Sequence, residues 1–546
     1  MTINIKYHKI LNRKKSNSFI YLGGGFMAKT KYFKVVKYDN FYEMLYNTHK
    51  KYKNNIAIKY DDISLTYNDL TKHVSSIYKY LKNNKINNKN IGIISENRYE
   101  YIPIYLSVVF NNVIAPIDKE ITSDKLKRLL IKFDIKILFY TNKTKKIIDD
   151  IKGIKITLIN IDESFNLIIN NEYDIKKFFN DIKNTDKNKF STLAFTSGTT
   201  GEYKGAMLTQ YNICSNLRAA LQNNVLKSPT LCVLPMNHTY GFNPGVLNTL
   251  YNGGTLCITT NLKRIKDDLK KFNPYFIALV PMVVEGIYNN IIREAKRQNK
   301  YELLMKMIKI SNSLLKIKID IRKILFGNIL NKRLKLIVSG GAHLDPYYIE
   351  KFNELGITVL NGYGLTECSP LISVNREIDN HPGSIGLPIY KEDIKIDKTG
   401  EILIKGPNVM LGYYNDKELT KESFKKGYYK SGDIGYIKDN ILYITGRIKN
   451  LIILENGKNF SPEEIEQKLL NIPYIKECIV TSRRQNNISI VVAKLYIEGN
   501  SKNIQKDINK LNKSLPSYMN IDKYEIMESE FEKTSTKKII RSKYVG

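Results

Sequence analysis

Tryptophan is absent from the 546 residues, and cysteine (5) and histidine (6) are scarce. The cysteines Cys214, Cys232, Cys257, Cys368 and Cys478 are scattered and form no C-x-x-C pair. An odd, unpaired set excludes a disulfide framework and fits free thiols in a reducing cytoplasm. The histidines show no metal-ligand spacing either. No apolar run approaches the length of a membrane-spanning helix. Acidic residues are under-represented, 53 against 86 basic, for a formal net charge of +33. That excess suggests a polyanion partner, but the lysines are dispersed rather than stacked in runs. Codon bias in an AT-rich genome, which the missing tryptophan and 38 tyrosines suggest, gives the same excess. Specific nucleic-acid binding is therefore not expected. Weak peripheral attraction to an anionic membrane, at its inner face, or to phosphorylated substrates remains compatible with the charge.

What is present is a hydrophobic content of 42% on a chain long enough for at least two domains. The first 26 residues are basic, lack a signal-peptide hydrophobic region, and end in Gly23-Gly24-Gly25-Phe26 before Met27. Glycine codons just upstream of a methionine resemble a ribosome-binding site read as protein. Residues 1–26 are accordingly expected to be an untranslated or disordered leader, which a native peptide spanning Lys14 to Met27 would disprove.

From about Phe41, short β-branched runs (Ile91–Ile94, Ile135–Tyr140, Ile156–Ile161) alternate with helical patterns, among them a buried helix over Tyr99–Phe110. Further buried strands are expected at Leu231–Leu234, Leu256–Thr259, Phe276–Val280 and Leu334–Val338. The rhythm predicts an α/β fold of helix-covered, mainly parallel sheets. Val283–Leu330 is long, Lys-rich and helical in period, either a lid or, as expected here, a packed helical layer. Ile394–Ile396 with Ile402–Ile404, and Gly435–Ile437 with Leu442–Ile444, predict antiparallel hairpins and a small β subdomain. After Arg447 a segment of about a hundred residues has its own α+β pattern, within the usual size of a domain. In it, Ser461-Pro462-Glu463-Glu464 has the form of an N-cap, an N1 proline and an acidic first turn. The expected organisation is 27–447 and 448–546, the second a small mobile domain.

The stretch Phe195-Thr196-Ser197-Gly198-Thr199-Thr200-Gly201-Glu202-Tyr203-Lys204-Gly205 follows the apolar Leu193-Ala194. Its glycines let backbone N–H groups approach phosphate oxygens, its hydroxyls add donors and Lys204 a charge. The spacing is not that of the P-loop, and an ordinary polar turn between a strand and a helix stays open. Ser339-Gly340-Gly341-Ala342 follows Leu334–Val338, and Asn361-Gly362-Tyr363-Gly364-Leu365-Thr366-Glu367 follows the apolar Ile357–Leu360, at strand ends where open α/β sheets bind ligands. Ser431-Gly432-Asp433 and Gly446-Arg447 flank the second hairpin.

Taken in order, the opening loop, "NGYGLTE", "YKSGDIG", "ITGRIKNLI" and the terminal "KTSTKKIIR" resemble the adenylate-forming superfamily, from about Tyr42 to Arg541. That superfamily includes acyl-CoA synthetases, luciferases and peptide-synthetase adenylation domains. The resemblance implies that Thr196, Ser197, Gly198, Thr199, Thr200, Gly201 and Lys204 hold the outer phosphates of ATP. Gly341 and Ala342 would line the adenine site with Tyr363 stacked on the base, and Gly362 would also bind the nucleotide. Thr366 would hydrogen-bond the α-phosphate, and Glu367 would hold Mg²⁺. Asp433 would take the ribose hydroxyls beside Arg447. Lys538 would be the catalytic lysine, and Lys449 the hinge about which the small domain swings between half-reactions. Tyr203 and Glu532 stand where proline is usual and Lys537 where glycine is usual, so the loop carrying Lys538 is expected to differ in conformation.

Leu234–Phe242 resembles the acyl-pocket stretch of acyl-CoA synthetases. His238 within it is either a catalytic residue or an ordinary satisfied histidine. The helical insertion, "SGGAHLDP" and "LENGKNFSPEEIE" look most like long-chain fatty acyl-CoA synthetases. The resemblance implies activation of a medium- or long-chain fatty acid with ATP and Mg²⁺, then transfer to CoA. The alternatives are an acyl carrier protein as acceptor, an aryl- or amino-acid-activating enzyme, or a basic nucleotide-binding protein without ligase activity.

Overall fold

The computed structural model describes residues 16–19, 29–197, 202–454, 458–485, 488–499, 501–534 and 539–545. The chain divides into two compact units, 1–393 with 404–429, and 394–403 with 430–546. Of the first 26 residues only the strand Ser16–Phe19 is described; it pairs antiparallel with Lys29–Tyr32.

The large unit holds two sheets. In the six-stranded sheet the order is Tyr203–Thr209, Phe190–Ser197, Val113–Ile117, Asn90–Ile94, Ile135–Tyr140, Thr157–Asn160. All pairs are parallel except the first, an antiparallel hairpin. The nine-stranded sheet has a parallel centre of Ile56–Tyr60, Leu256–Ile258, Thr230–Cys232, Phe276–Leu279, Leu336–Ser339 and Thr358–Gly364. Antiparallel strands close both of its edges. Val113–Ile117, Thr230–Cys232, Leu256–Ile258, Phe276–Leu279 and Leu336–Ser339 are buried along their whole length, as parallel strands covered on both faces require. The helix Tyr101–Asn111 is buried on every side from Tyr101 to Phe110, as its lack of a polar face requires.

The Lys-rich insertion forms the helices Pro281–Arg297, Tyr301–Lys316 and Arg322–Phe326. Val284, Tyr288, Leu304, Ile308 and Phe326 join the core of the nine-stranded sheet with Leu231, Ile277, Ile337 and Val359. Each such leucine or isoleucine contributes about 1.5–3 kcal/mol by leaving water. The insertion is therefore a packed layer.

In the second unit the predicted hairpins are present, and the strand Tyr428–Lys438 pairs with Ile441–Arg447 through its residues 433–438. Beyond them, Ile475–Gln485 and Ile488–Ile497 pair antiparallel, with Lys523–Met527 parallel to the latter. The helices Pro462–Leu470 and Ile504–Asn512 contribute Ile465, Leu469, Ile504 and Ile508 to this unit's own core. Pro462 opens its helix as predicted, but the Ser461 side chain makes no cap hydrogen bond; its hydroxyl donates to Glu463 at 2.5 Å.

Candidate active site

The glycine- and threonine-rich loop joins two antiparallel strands, Phe190–Ser197 and Tyr203–Thr209, rather than a strand and a helix. Their register sets Thr196 opposite Lys204 and Ser197 opposite Tyr203. Gly198, Thr199, Thr200 and Gly201 lie outside the described residues. Leu411–Tyr414 runs along the free edge of the hairpin: Met207 N–H donates to Gly412 O (2.9 Å), and Tyr414 N–H to Gly205 O (2.8 Å). This pairing delivers Tyr413, whose ring lies 5.6 Å below the Lys204 Nζ. The Tyr413 hydroxyl donates to Glu367 Oε1 at 2.8 Å. Burial, and then the Glu367 charge, push the Tyr413 phenol well above its ordinary pKa, so it stays a donor. A cation, an aromatic face and an oriented carboxylate are thus drawn from three separate segments. The predictions from sequence missed Tyr413. Its signal was the Gly412-Tyr413 pair, since a Cβ at Gly412 would stand 2.6 Å from Thr420 Cγ2.

Thr366 and buried Glu367 begin a short 3₁₀ turn, Thr366–Cys368, after the strand Thr358–Gly364. Gly364 is needed there, because a Cβ would lie 2.2 Å from the carbonyl oxygen of Pro370. Asparagines hold the turn from beneath. Asn408 Nδ2 donates to Cys368 O (3.0 Å) and Leu371 O (3.1 Å). Asn216 Nδ2 donates to Leu371 O (2.7 Å) and Asn243 Nδ2 to Ser369 O (2.6 Å). Asn408 Nδ2 also reaches Glu392 Oε1 at 3.2 Å. Burial pushes Glu392 up to about 8, so its carboxyl is neutral at pH 7. Neutrality matters because its other oxygen is buried without a hydrogen-bond partner. None of these residues, three asparagines and one glutamate, was predicted, since isolated polar residues carry no sequence pattern.

Other predicted residues also stand at C-terminal strand ends. Gly341 and Ala342 follow Leu336–Ser339 as exposed backbone, with Gly341 at φ +88°. A Cβ at the preceding Gly340 would meet Tyr240 Cζ at 2.9 Å. The Tyr240 hydroxyl, on the short helix Thr239–Phe242, donates to Leu279 O and Val338 O, both at 3.0 Å, tying two strand ends together. Gly362 and Tyr363 end the neighbouring strand, with Tyr363 buried. His238, beyond Thr230–Cys232, lies with Nε2 3.6 Å from Asp118 Oδ2, and Asp118 follows Val113–Ile117 in the other sheet.

In the second unit, Asp433 and Arg447 face each other across a hairpin, and Arg447 Nε donates to the buried Asp433 Oδ1 at 2.7 Å. Lys449 is exposed in the 3₁₀ turn Ile448–Asn450. Lys538 and Lys537 lie outside the described residues. The segments on either side are described: Lys533 bridges to Ile539, and Ile540 N–H donates to Glu532 O at 2.9 Å. Lys533 pairs with Glu477 and Glu530, each at 2.5 Å. Arg541 pairs with Glu466 at 2.7 Å and donates to Val480 O at 2.9 Å.

Among the described residues no cluster of three or more His, Cys, Asp or Glu side chains could hold a metal. Glu367 alone still suits Mg²⁺, a hard cation that takes one or two carboxylates and completes its shell with phosphate oxygens and water.

The AMP-binding enzyme family matches residues 45–414, and the AMP-binding enzyme C-terminal domain matches residues 449–545. The long-chain-fatty-acid–CoA ligase FadD15 of Mycobacterium bovis is 28% identical over 311 residues, 53% of this chain and 52% of that protein. The chloroplastic long-chain-fatty-acid–(acyl-carrier-protein) ligase AEE15 of Arabidopsis thaliana is 27% identical over 375 residues, 56% of this chain and 51% of that protein. The chain spans about half the length of these curated relatives. Among solved structures, the anthranilate CoA ligase AuaEII in complex with anthranoyl-AMP superposes with a TM-score of 0.79. That likeness covers 93% of this chain and 97% of the other at 17% identity, a likeness of fold. Since one family match alone takes in more than half of the residues, this chain belongs to the AMP-binding enzyme family.

Proposed function

We propose that the protein is an AMP-forming acid–thiol ligase that activates a medium- or long-chain fatty acid with ATP and passes the acyl group to CoA. The observation that carries this reading is the Lys204–Tyr413–Glu367 array beside the glycine- and threonine-rich loop, at the strand ends that also present Gly341, Ala342 and Thr366. Lys204 and Thr196 bind the outer phosphates with the loop, and Thr366 donates to the α-phosphate. The residue positioned to hold Mg²⁺ is Glu367, kept in orientation by Tyr413; the ion would neutralise charge on the phosphates. Asp433, steadied by Arg447, accepts from the ribose hydroxyls, and His238 borders the acyl group.

In the first half-reaction a carboxylate oxygen bonds to the α-phosphorus as the bond to pyrophosphate breaks. Negative charge grows at that phosphorus, and fixed cations there lower the barrier; Lys538 is assigned that role. In the second, the thiol sulfur bonds to the acyl carbon, AMP leaves, and the thiol proton goes to solvent. Lys449 serves as the hinge between the two. The fatty acid rests on the long-chain relatives, and an acyl carrier protein as acceptor is the second reading, favoured by the relative that uses one. Pyrophosphate release across fatty, aryl and amino acids, with and without CoA or carrier protein, is the test. Release that requires a fatty acid, followed by acyl-CoA, is expected; release with aryl or amino acids alone would overturn the substrate class.

A further inference from the structure

The helix Tyr301–Lys316 buries only part of its apolar surface. Leu304, Ile308 and Ser311 are buried, with Met305 and Met307 partly covered by the same core. At 3.6 residues per turn, Leu303, Ile310 and Ile317 fall one heptad apart on the flank of that face. All three are exposed, at 55%, 48% and 64%. The exposure continues past the helix, to Ile319 (48%) and to Ile324 on the next short helix (81%). Lys306, Lys309 and Lys316 occupy the adjoining sector, and Lys318 sits in the turn; all four are exposed. The sequence from Leu303 to Ile319 contains no acidic residue. Of the nearest carboxylates, Glu302 precedes the stripe, and Asp320 is held by Arg322 at 2.8 Å.

We propose that this flank and the turn after it dock onto an anionic lipid surface. The aliphatic side chains enter the boundary between headgroups and acyl chains, and the lysines lie against headgroup phosphates. An apolar stripe bordered by lysines along one helix is the geometry of an interfacial helix. Charge complementarity selects anionic over neutral lipid. The inference concerns a surface apart from the nucleotide site and holds whichever acid is activated.

The test uses the full chain and co-sedimentation with phosphatidylcholine vesicles, with and without phosphatidylglycerol. Binding is expected to rise on the order of tenfold with phosphatidylglycerol and to fall as salt is added. The triple change Leu303→Ser, Ile310→Ser, Ile317→Ser should abolish binding while leaving the unfolding transition in place. Lys306→Glu, Lys309→Glu, Lys316→Glu should remove the preference for phosphatidylglycerol. A control with Lys50→Glu, Lys51→Glu, Lys53→Glu matches that change in net charge at the C-terminal end of a different helix, Phe41–Tyr52, and should bind as the parent does. Equal loss in the control would mean that binding follows net charge alone, and would overturn the proposal. So would unchanged binding by the serine variant. A parent dimer that the serine changes convert to monomer, with no vesicle binding by either, would assign the stripe to a second copy of the chain instead.

Discussion

Around the Thr366–Leu371 turn, buried asparagine amides hydrogen-bond main-chain carbonyls, whereas the segments flanking Lys538 are tied down by ion pairs. Asn216, Asn243 and Asn408 supply the first kind of hold, Lys533 and Arg541 the second. Neutral amides work at any pH or salt, but losing Asn243 leaves Ser369 O, and losing Asn408 leaves the buried Glu392 Oε1, without that donor and with its desolvation cost. The ion pairs are largely withdrawn from water, so each charge depends on its partner, and salt weakens them only through their solvent-facing sides. The first region is a fixed platform for Glu367, and the second a tether that solution conditions can loosen.

The sharpest challenge to that contrast is the group the tether carries. Lys538→Ala should cut fatty-acid-dependent pyrophosphate release by roughly 10²–10³-fold with little change in melting temperature. Full retention of activity would remove the lysine from its assigned role. On the platform, Asn408→Ala should cost about 2–4 kcal/mol in urea unfolding, the same at low and high salt. A marked salt dependence would collapse the distinction between the two regions.

Arg541→Ala should cost about 1–3 kcal/mol, and the loss should shrink as salt weakens the parent's own Glu466 pair. Tyr413→Phe is smaller, on the order of 1 kcal/mol, seen as a several-fold drop in turnover with the fold intact. The platform has one pH-sensitive member. Glu392 keeps its proton up to about pH 8 when folded, against an ordinary value of 4.5. Between those values the folded state binds more protons than the unfolded, so its contribution is full below pH 4.5 and fades as pH rises towards 8. The stability of Glu392→Gln, measured across that window, should lack this decline.

Much of the fold was legible because its strands are apolar runs bounded by turn residues. Ile135–Tyr140 forms as predicted, while Leu231–Leu234 stops at Cys232, where the chain turns out of the sheet towards His238. The loop's second strand, Tyr203–Thr209, was not legible, because strand pairing depends on partners distant in sequence. The same holds for Tyr413, which reaches Glu367 from 46 residues away, and for the asparagines, whose roles exist only once the turn they hold is folded.

By itself the sequence determined the alternation of strands and helices, the family motifs in order, and the excess of positive charge. These follow from local periodicity and residue chemistry, which need no partner to be defined. Tertiary structure alone decided that Lys204, Tyr413 and Glu367 form one array, that Glu392 is buried as a neutral acid, and that Leu303, Ile310 and Ile317 stay in water. Each of those depends on which distant surfaces meet, and burial and neighbouring charge are fixed only when they do.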